Sequence, residues 1–322
     1  MRPASLRNCP SRITSSLMVT SIASLTLLIM PDYSRGVLLE LAGTRTHVVV
    51  DAATGPVTGP PVVLSSGLAG NWFDWDAVTE LLTPGRTVVR LDRPGYGLSD
   101  PWPDGAVPTL DSEVTRLRDL LDALEIESAV MVAHSMASFY VEAFLREFPS
   151  RTAAAVILDG SVEASPRWVL PGDLRDALLL RSADAATAVG MNRAGPAAHR
   201  LLGAGDPPPE YASILSSEDY FRAAFLENGR YPVLAHELAD LRQETPLPPD
   251  VPVTVAAAFT GRRTPWNTSW LGQQEELAEI LHGRYAVIAP SGHHAMIDQP
   301  AQVAALILDA TTPPGGTAGP TG

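Results

Sequence analysis

Apolar positions along this chain fall into two periods. Ala129-Val130-Met131-Val132-Ala133 is a continuous apolar run, the pattern of a strand buried on both faces. Ala153 to Leu158, Val251 to Phe259 and Arg284 to Ala289 read as further strands. Val37 to Leu41 and His47 to Asp51 read as a hairpin, followed by a Gly, Pro and Thr-rich loop from Ala52 to Pro60. Leu110, Val114, Leu117, Leu121 and Leu124 recur at helical spacing and predict a helix leading into the 129–133 strand. That stripe is packing. Between Ser161 and Asp250 the strand signal disappears and the chain turns helical, with breaks at Pro166, Pro171 and Pro207-Pro208-Pro209.

The 129–133 strand ends abruptly on His134-Ser135-Met136-Ala137-Ser138, and the chain continues as an apolar helical pattern from Phe139 to Leu145. A strand feeding a helix through a tight turn lifts the turn residue out of the sheet, so Ser135 is a candidate nucleophile. Such a turn needs small residues two before and two after it; here they are Ala133 and Ala137, where glycine is more usual. The plainer alternative is a Ser135 that only caps the helix. A serine hydroxyl also needs a base, and the 284–289 strand runs into Pro290-Ser291-Gly292-His293-His294, which offers two histidines on one loop.

From about Val37 to about Leu308 the chain resembles the α/β-hydrolases. Pro61-Val62-Val63-Leu64-Ser65-Ser66-Gly67-Leu68 resembles that family's third strand and oxyanion loop, with Ser66 where a histidine often precedes the glycine. Leu91-Asp92-Arg93-Pro94-Gly95-Tyr96-Gly97-Leu98-Ser99 matches its D-R-x-G-x-G-x-S segment, His134-Ser135-Met136 its elbow, and Ser291-Gly292-His293 through Asp298-Gln299-Pro300 its histidine loop. The resemblance implies a mostly parallel, doubly wound sheet with a helical cap inserted after the sixth strand. The corresponding divisions are a core over 36–160 and 251–310, a cap over 161–250, a leader over 1–35 and a disordered tail over 311–322. It makes His293 the base, with His294 second, and the backbone N–H groups of Leu68 and Met136 the oxyanion hole. His134 points away from the serine and packs as a buried residue against the neighbouring strand. Gly95 and Gly97 serve backbone geometry.

A histidine base wants a carboxylate partner. In most family members it follows the seventh strand, but no Asp or Glu occurs between Phe259 and Glu275. The 153–158 strand ends directly on Asp159, a position some branches of the family use. Asp159 is therefore the candidate acid, Glu163 the reserve, and a capping role the plainer alternative.

Composition narrows the functions. All 23 basic residues are arginine, which excludes a P-loop, a pyridoxal Schiff base and a lysine base. A formal charge of −13 argues against a nucleic-acid partner. The one cysteine, Cys9, lies outside the expected fold. No metal or cofactor motif is present, so neither is expected. Arg2, Arg7 and Arg12 precede an uncharged stretch from Ile13 to Met30, the pattern of a membrane anchor or secretion signal; an anchor with the catalytic domain outside is preferred, a cleaved signal comes second, and a leader with neither role, leaving the protein in the cytoplasm, is the third alternative. In the cap, Trp168, Tyr220, Phe221 and Phe225 are expected to hold helices together rather than line a pocket. Trp72, Phe73 and Trp75 are expected to open a helix. The resulting expectation is a serine hydrolase acting on a small-molecule ester, thioester or amide. An aminopeptidase using Glu218 or Asp219, a cofactor-free perhydrolase or haloperoxidase, and a non-catalytic ligand-binding relative are the alternatives.

Overall fold

Alternation along the strands divides their side chains between two cores. In β3 (Val62–Ser65) and β5 (Ala129–His134), Val62, Leu64, Val130 and Val132 face one core; Val63, Met131 and Ala133 face the other. Strands covered on both faces belong in a sheet with helices on each side. The computed structural model describes residues 36–163, 172–201 and 211–311, and it contains that sheet.

Together with β1 (Val37–Leu41), β2 (Thr44–Asp51), β4 (Val88–Leu91), β6 (Thr152–Leu158), β7 (Val253–Ala258) and β8 (Arg284–Ile288) these strands form one eight-stranded sheet, ordered β1-β2-β4-β3-β5-β6-β7-β8. β2 pairs antiparallel with β1 and β4; every other pairing is parallel. β2 begins earlier than the apolar pattern predicts, because Thr44 and Arg45 pair across the hairpin with Leu41 and Glu40.

The helices follow in chain order: α1 (Asp76–Leu82), α2 (Leu110–Ala123), α3 (Ala137–Glu147), α4 (Gly172–Ala188), α5 (Gly195–Leu201), α6 (Ala212–Leu215), α7 (Glu218–Glu244), α8 (Pro265–Ile280), α9 (Ala295–Asp298) and α10 (Pro300–Asp309). α1 and α10 cover one face of the sheet through Val78, Leu82, Val303 and Ile307. α2, α3 and α8 cover the other through Leu120, Val141, Phe144 and Leu277. α4 to α7 fill the stretch between β6 and β7, and α7 packs on α3 and α4.

In register, Ser65 lies beside Ala133, His134 beside Leu158, Leu158 beside Ala256, and Ala258 beside Ile288. The loops after β3, β5, β6 and β8 therefore open at one edge of the sheet, the carboxyl ends of parallel strands where α/β folds place their sites. Residues 13–30, the three proline breaks, Trp168 and residues 312–322 lie outside the described residues. Among the described residues no helix is long and apolar enough to cross a membrane.

Candidate active site

Ser135 sits between β5 and α3 with φ of 53°, a left-handed conformation that a serine adopts only where its surroundings impose it. Those surroundings are the Ser135 N–H donating to Leu158 O (3.0 Å), the Ser135 carbonyl accepting from Ser138 N (3.0 Å), and flanking Ala133 and Ala137 that are fully buried. A further close approach falls on Gly67: a Cβ there would lie 2.8 Å from Ser135 Cβ.

Asp159, directly after β6, is likewise left-handed, with φ of 45°. Its Oδ2 lies 2.6 Å from His293 Nδ1, and His293 Nε2 lies 3.0 Å from Ser135 Oγ. A carboxylate oxygen only accepts, so Nδ1 carries the proton and Nε2 presents its lone pair to the serine. The structure thus places Ser135, His293 and Asp159 in one hydrogen-bonded line. Asp159 is 4% exposed and His293 42%, so the carboxylate is dry while the imidazole faces the opening. Glu163 makes no hydrogen bond to His293 among the described residues.

Two residues of α8 that the sequence did not single out hold this acid. Trp270 Nε1 donates to Asp159 Oδ1 at 2.6 Å, joined there by the Ala258 N–H at 2.9 Å. One turn on, the buried Gln274 both donates to Gly160 O (2.6 Å) and accepts from Gly160 N (3.0 Å), which fixes the loop after β6.

The N–H groups of Leu68 and Met136 donate to no other group among the described residues. The Met136 N–H also lies at the amino end of α3, where the helix dipole favours negative charge. Arg93, from the D-R-x-G-x-G-x-S segment, donates through Nη1 to Ser66 O and through Nη2 to Gly67 O (2.7 Å), and pairs with Glu227 of α7 (2.5 and 2.9 Å). Burial alone would lower the Arg93 pKa; the Glu227 carboxylate more than offsets it. Ser66, in the place of the usual histidine, donates to Asn71 O (3.0 Å) and accepts from Trp75 Nε1 (2.9 Å). Trp72, Phe73 and Trp75 form a buried 3-10 turn ahead of α1.

The other two histidines differ from His293. His134 Nε2 lies 2.8 Å from the His293 carbonyl, and a carbonyl requires that Nε2 carry the proton. Its ring lies against His293 and His294, with centroids 4.6 and 5.3 Å away, rather than simply against the next strand as expected. Burial, with His293 and His294 adding to it, holds its pKa well below the usual histidine range. Burial and then His293 also lower that of His294.

Beside the oxyanion loop is a cavity of about 300 Å³ lined by Leu68, Ala69 and Gly70, by Met191, Ala198 and His199 from the α4–α5 region, by Tyr220, Phe221 and Ala224 of α7, and by Asp74 and His294. Its walls are mainly apolar. The expectation that Tyr220 and Phe221 only hold helices together is corrected, because α7 turns both toward this space; Phe225 packs against Phe221 instead (6.1 Å). Glu218 and Asp219 are exposed and do not line it.

A model of the α/β hydrolase fold matches residues 60–300. Epoxide hydrolase B of Mycobacterium tuberculosis is 31% identical over 138 residues, 42% of this chain and 38% of that protein. RutD of Pantoea ananatis, a putative carbamate hydrolase, is 26% identical over 256 residues, 77% of this chain and 86% of that protein. The chain spans 32% to 38% of the length of several curated relatives it matches. Among solved structures, the epoxide hydrolase VrEH1 from Vigna radiata has the same fold, with a TM-score of 0.61 at 16% identity over 84% of this chain and 96% of that one. With the matched residues running from just before β3 to the start of α10, the chain belongs to the α/β-hydrolase fold family.

Proposed function

We propose that this protein is a hydrolase that cleaves a carboxylic ester through an acyl-enzyme on Ser135. The observation that carries the reading is the continuous hydrogen-bonded line from Ser135 Oγ through His293 to Asp159, at 3.0 and 2.6 Å. Ser135 Oγ attacks the carbonyl carbon as its proton passes to His293 Nε2. Asp159 keeps Nδ1 protonated and stabilises the imidazolium that results. The carbonyl oxygen becomes an oxyanion facing the Leu68 and Met136 N–H groups. His293 then protonates the leaving alcohol; it next takes a proton from a water whose oxygen attacks the acyl carbon, and returns that proton to Ser135 Oγ as the carbon–Oγ bond breaks and the acid leaves.

In this reading residues 36–160 and 251–310 are the catalytic core and 161–250 the cap. The mainly apolar cavity suits a small to medium neutral acyl group. An aminopeptidase relying on Glu218 or Asp219 is disfavoured because neither lines the cavity. Epoxide hydrolase chemistry calls for an aspartate nucleophile, and the elbow of this chain carries Ser135.

The test is labelling with a fluorophosphonate probe, with Ser135→Ala as control, beside p-nitrophenyl esters of rising acyl length. The expected result is labelling and turnover lost together in the control. Each buried methylene should raise kcat/KM about fourfold, from about 0.8 kcal/mol per CH₂, until the cavity is full. A folded protein that neither labels nor turns over esters would make the non-catalytic, ligand-binding reading the better one.

A further inference from the structure

We propose that helix α7 acts as a clamp on the oxyanion loop, with Glu227 working through Arg93 and Tyr220 working directly, so that the cap sets the aim of the Leu68 N–H. The inference rests on the acyl-enzyme reading above and adds positioning residues to it.

The clamp is built from three carbonyls that flank Leu68. Arg93 donates to Ser66 O and Gly67 O from one edge of its guanidinium, while the other edge grips Glu227 by two hydrogen bonds. Tyr220 donates through its hydroxyl to Ala69 O at 2.6 Å. Tyr220 and Glu227 lie seven residues apart on α7, two helical turns, and so share a face of the helix. That face straddles the loop.

Planarity of the peptide bond turns this grip into an effect on the site. Gly67 C=O and Leu68 N–H belong to one trans peptide and point in opposite directions. Pulling the carbonyl toward Arg93 therefore directs the N–H away from it, and a cation on the carbonyl oxygen polarises the N–H into a better donor. Arg93 cannot stand in this buried place alone: it is 5% exposed and needs the equally buried Glu227. Glu227 is itself fully engaged, since besides Arg93 it accepts from Tyr96 (2.8 Å) and Tyr140 (3.3 Å). An ion pair serving only to join cap to core would have no reason to send two guanidinium N–H groups to consecutive carbonyls of this loop.

Glu227→Gln and Tyr220→Phe test the clamp. Tyr220→Phe removes a single hydroxyl and leaves the ring on the cavity wall, so it remains informative if Glu227→Gln folds poorly. Active enzyme is counted by fluorophosphonate titration, and kcat, KM and the Ki of a trifluoromethyl ketone, which binds as a tetrahedral oxyanion, are measured per titrated serine. Outright loss of an oxyanion donor costs about 10²–10³ in kcat, so misaiming one should cost about 10- to 100-fold in Glu227→Gln and less in Tyr220→Phe. KM should stay within about threefold, because the ground-state carbonyl gains little from the hole, and ketone affinity should fall in step with kcat/KM. A purely structural ion pair would lower Tm and the titratable fraction but leave kcat per serine and ketone affinity at wild-type values, and that result overturns the clamp while the serine hydrolase reading stands. Wild-type protein without labelling at Ser135 would sink both.

Discussion

Asp159→Asn is the sharpest perturbation of the proposed triad, because the structure dictates how the new amide must sit. Asp159 Oδ1 accepts from Trp270 Nε1 and from the Ala258 N–H, at 2.6 and 2.9 Å. Both partners only donate, so the amide oxygen of an asparagine must take the Oδ1 place. Its NH₂ is then left facing His293 Nδ1, where Oδ2 stood at 2.6 Å. An NH₂ there forces Nδ1 to accept and moves the imidazole proton to Nε2, which can no longer take the Ser135 proton. Two magnitudes compete. Loss of one charge-assisted hydrogen bond, about 1.5–3 kcal/mol, would slow the reaction only about 10- to 150-fold. Inverting the tautomer costs more: the corresponding change in serine proteases lowers kcat about 10⁴-fold, about 5.4 kcal/mol. The second is the expected size here. The assay is kcat on the best p-nitrophenyl ester, normalised to protein with an unchanged Tm, since the near-isosteric amide keeps both Oδ1 donors satisfied. A kcat within about tenfold of wild type would refute the argument and move the role to Glu163 or another carboxylate.

His134 should make the fold acid-sensitive. Its folded pKa is depressed, so the unfolded chain binds a proton near pH 6.5 that the folded chain refuses. Stability is therefore full above about pH 6.5 and falls below it, by up to about 1.4 kcal/mol per pH unit for this histidine. Urea midpoints from pH 8 to 5 should show a shallower decline in His134→Gln than in wild type, and equal slopes would contradict the assignment. Gly67→Ala places a Cβ 2.8 Å from Ser135 Cβ and 2.9 Å from His134 Nδ1. Overpacking of this kind costs about 1–3 kcal/mol, and fluorophosphonate labelling should slow sharply; labelling at the wild-type rate would show that the loop has more room than the geometry allows. Phe221→Ala enlarges the cavity and should move the optimum of the acyl-length series toward longer chains, whereas an unmoved optimum would place the acyl group elsewhere.

Elements whose information is local in the chain were legible from sequence. A strand buried on both faces writes its own apolar run, as in Ala129 to Ala133, and the break at Ser135 marks the turn that follows. The histidine loop after Ile288 and the absence of a carboxylate between Phe259 and Glu275 are equally plain in the linear order. So were the α/β class and the helical stretch between β6 and β7.

Tertiary structure alone decided which groups meet. Of His293 and His294, only His293 lies within hydrogen-bonding reach of Ser135, because the backbone of the loop is tied at the His293 carbonyl by His134. Trp270 reaches Asp159 across 111 residues, and Glu227 reaches Arg93 across 134. Neither contact has a periodic or spacing signature, since a hydrogen bond between distant segments depends on the register of intervening strands and the packing of α7 and α8. Tyr220 and Phe221 show the same division: helical periodicity fixes that they belong to one helix, but only the docking of α7 on the core turns them toward the cavity and carries a hydroxyl to Ala69. A pattern along a chain records which face of an element is buried; what that face is buried against is set by the other elements, and so is the chemistry that results.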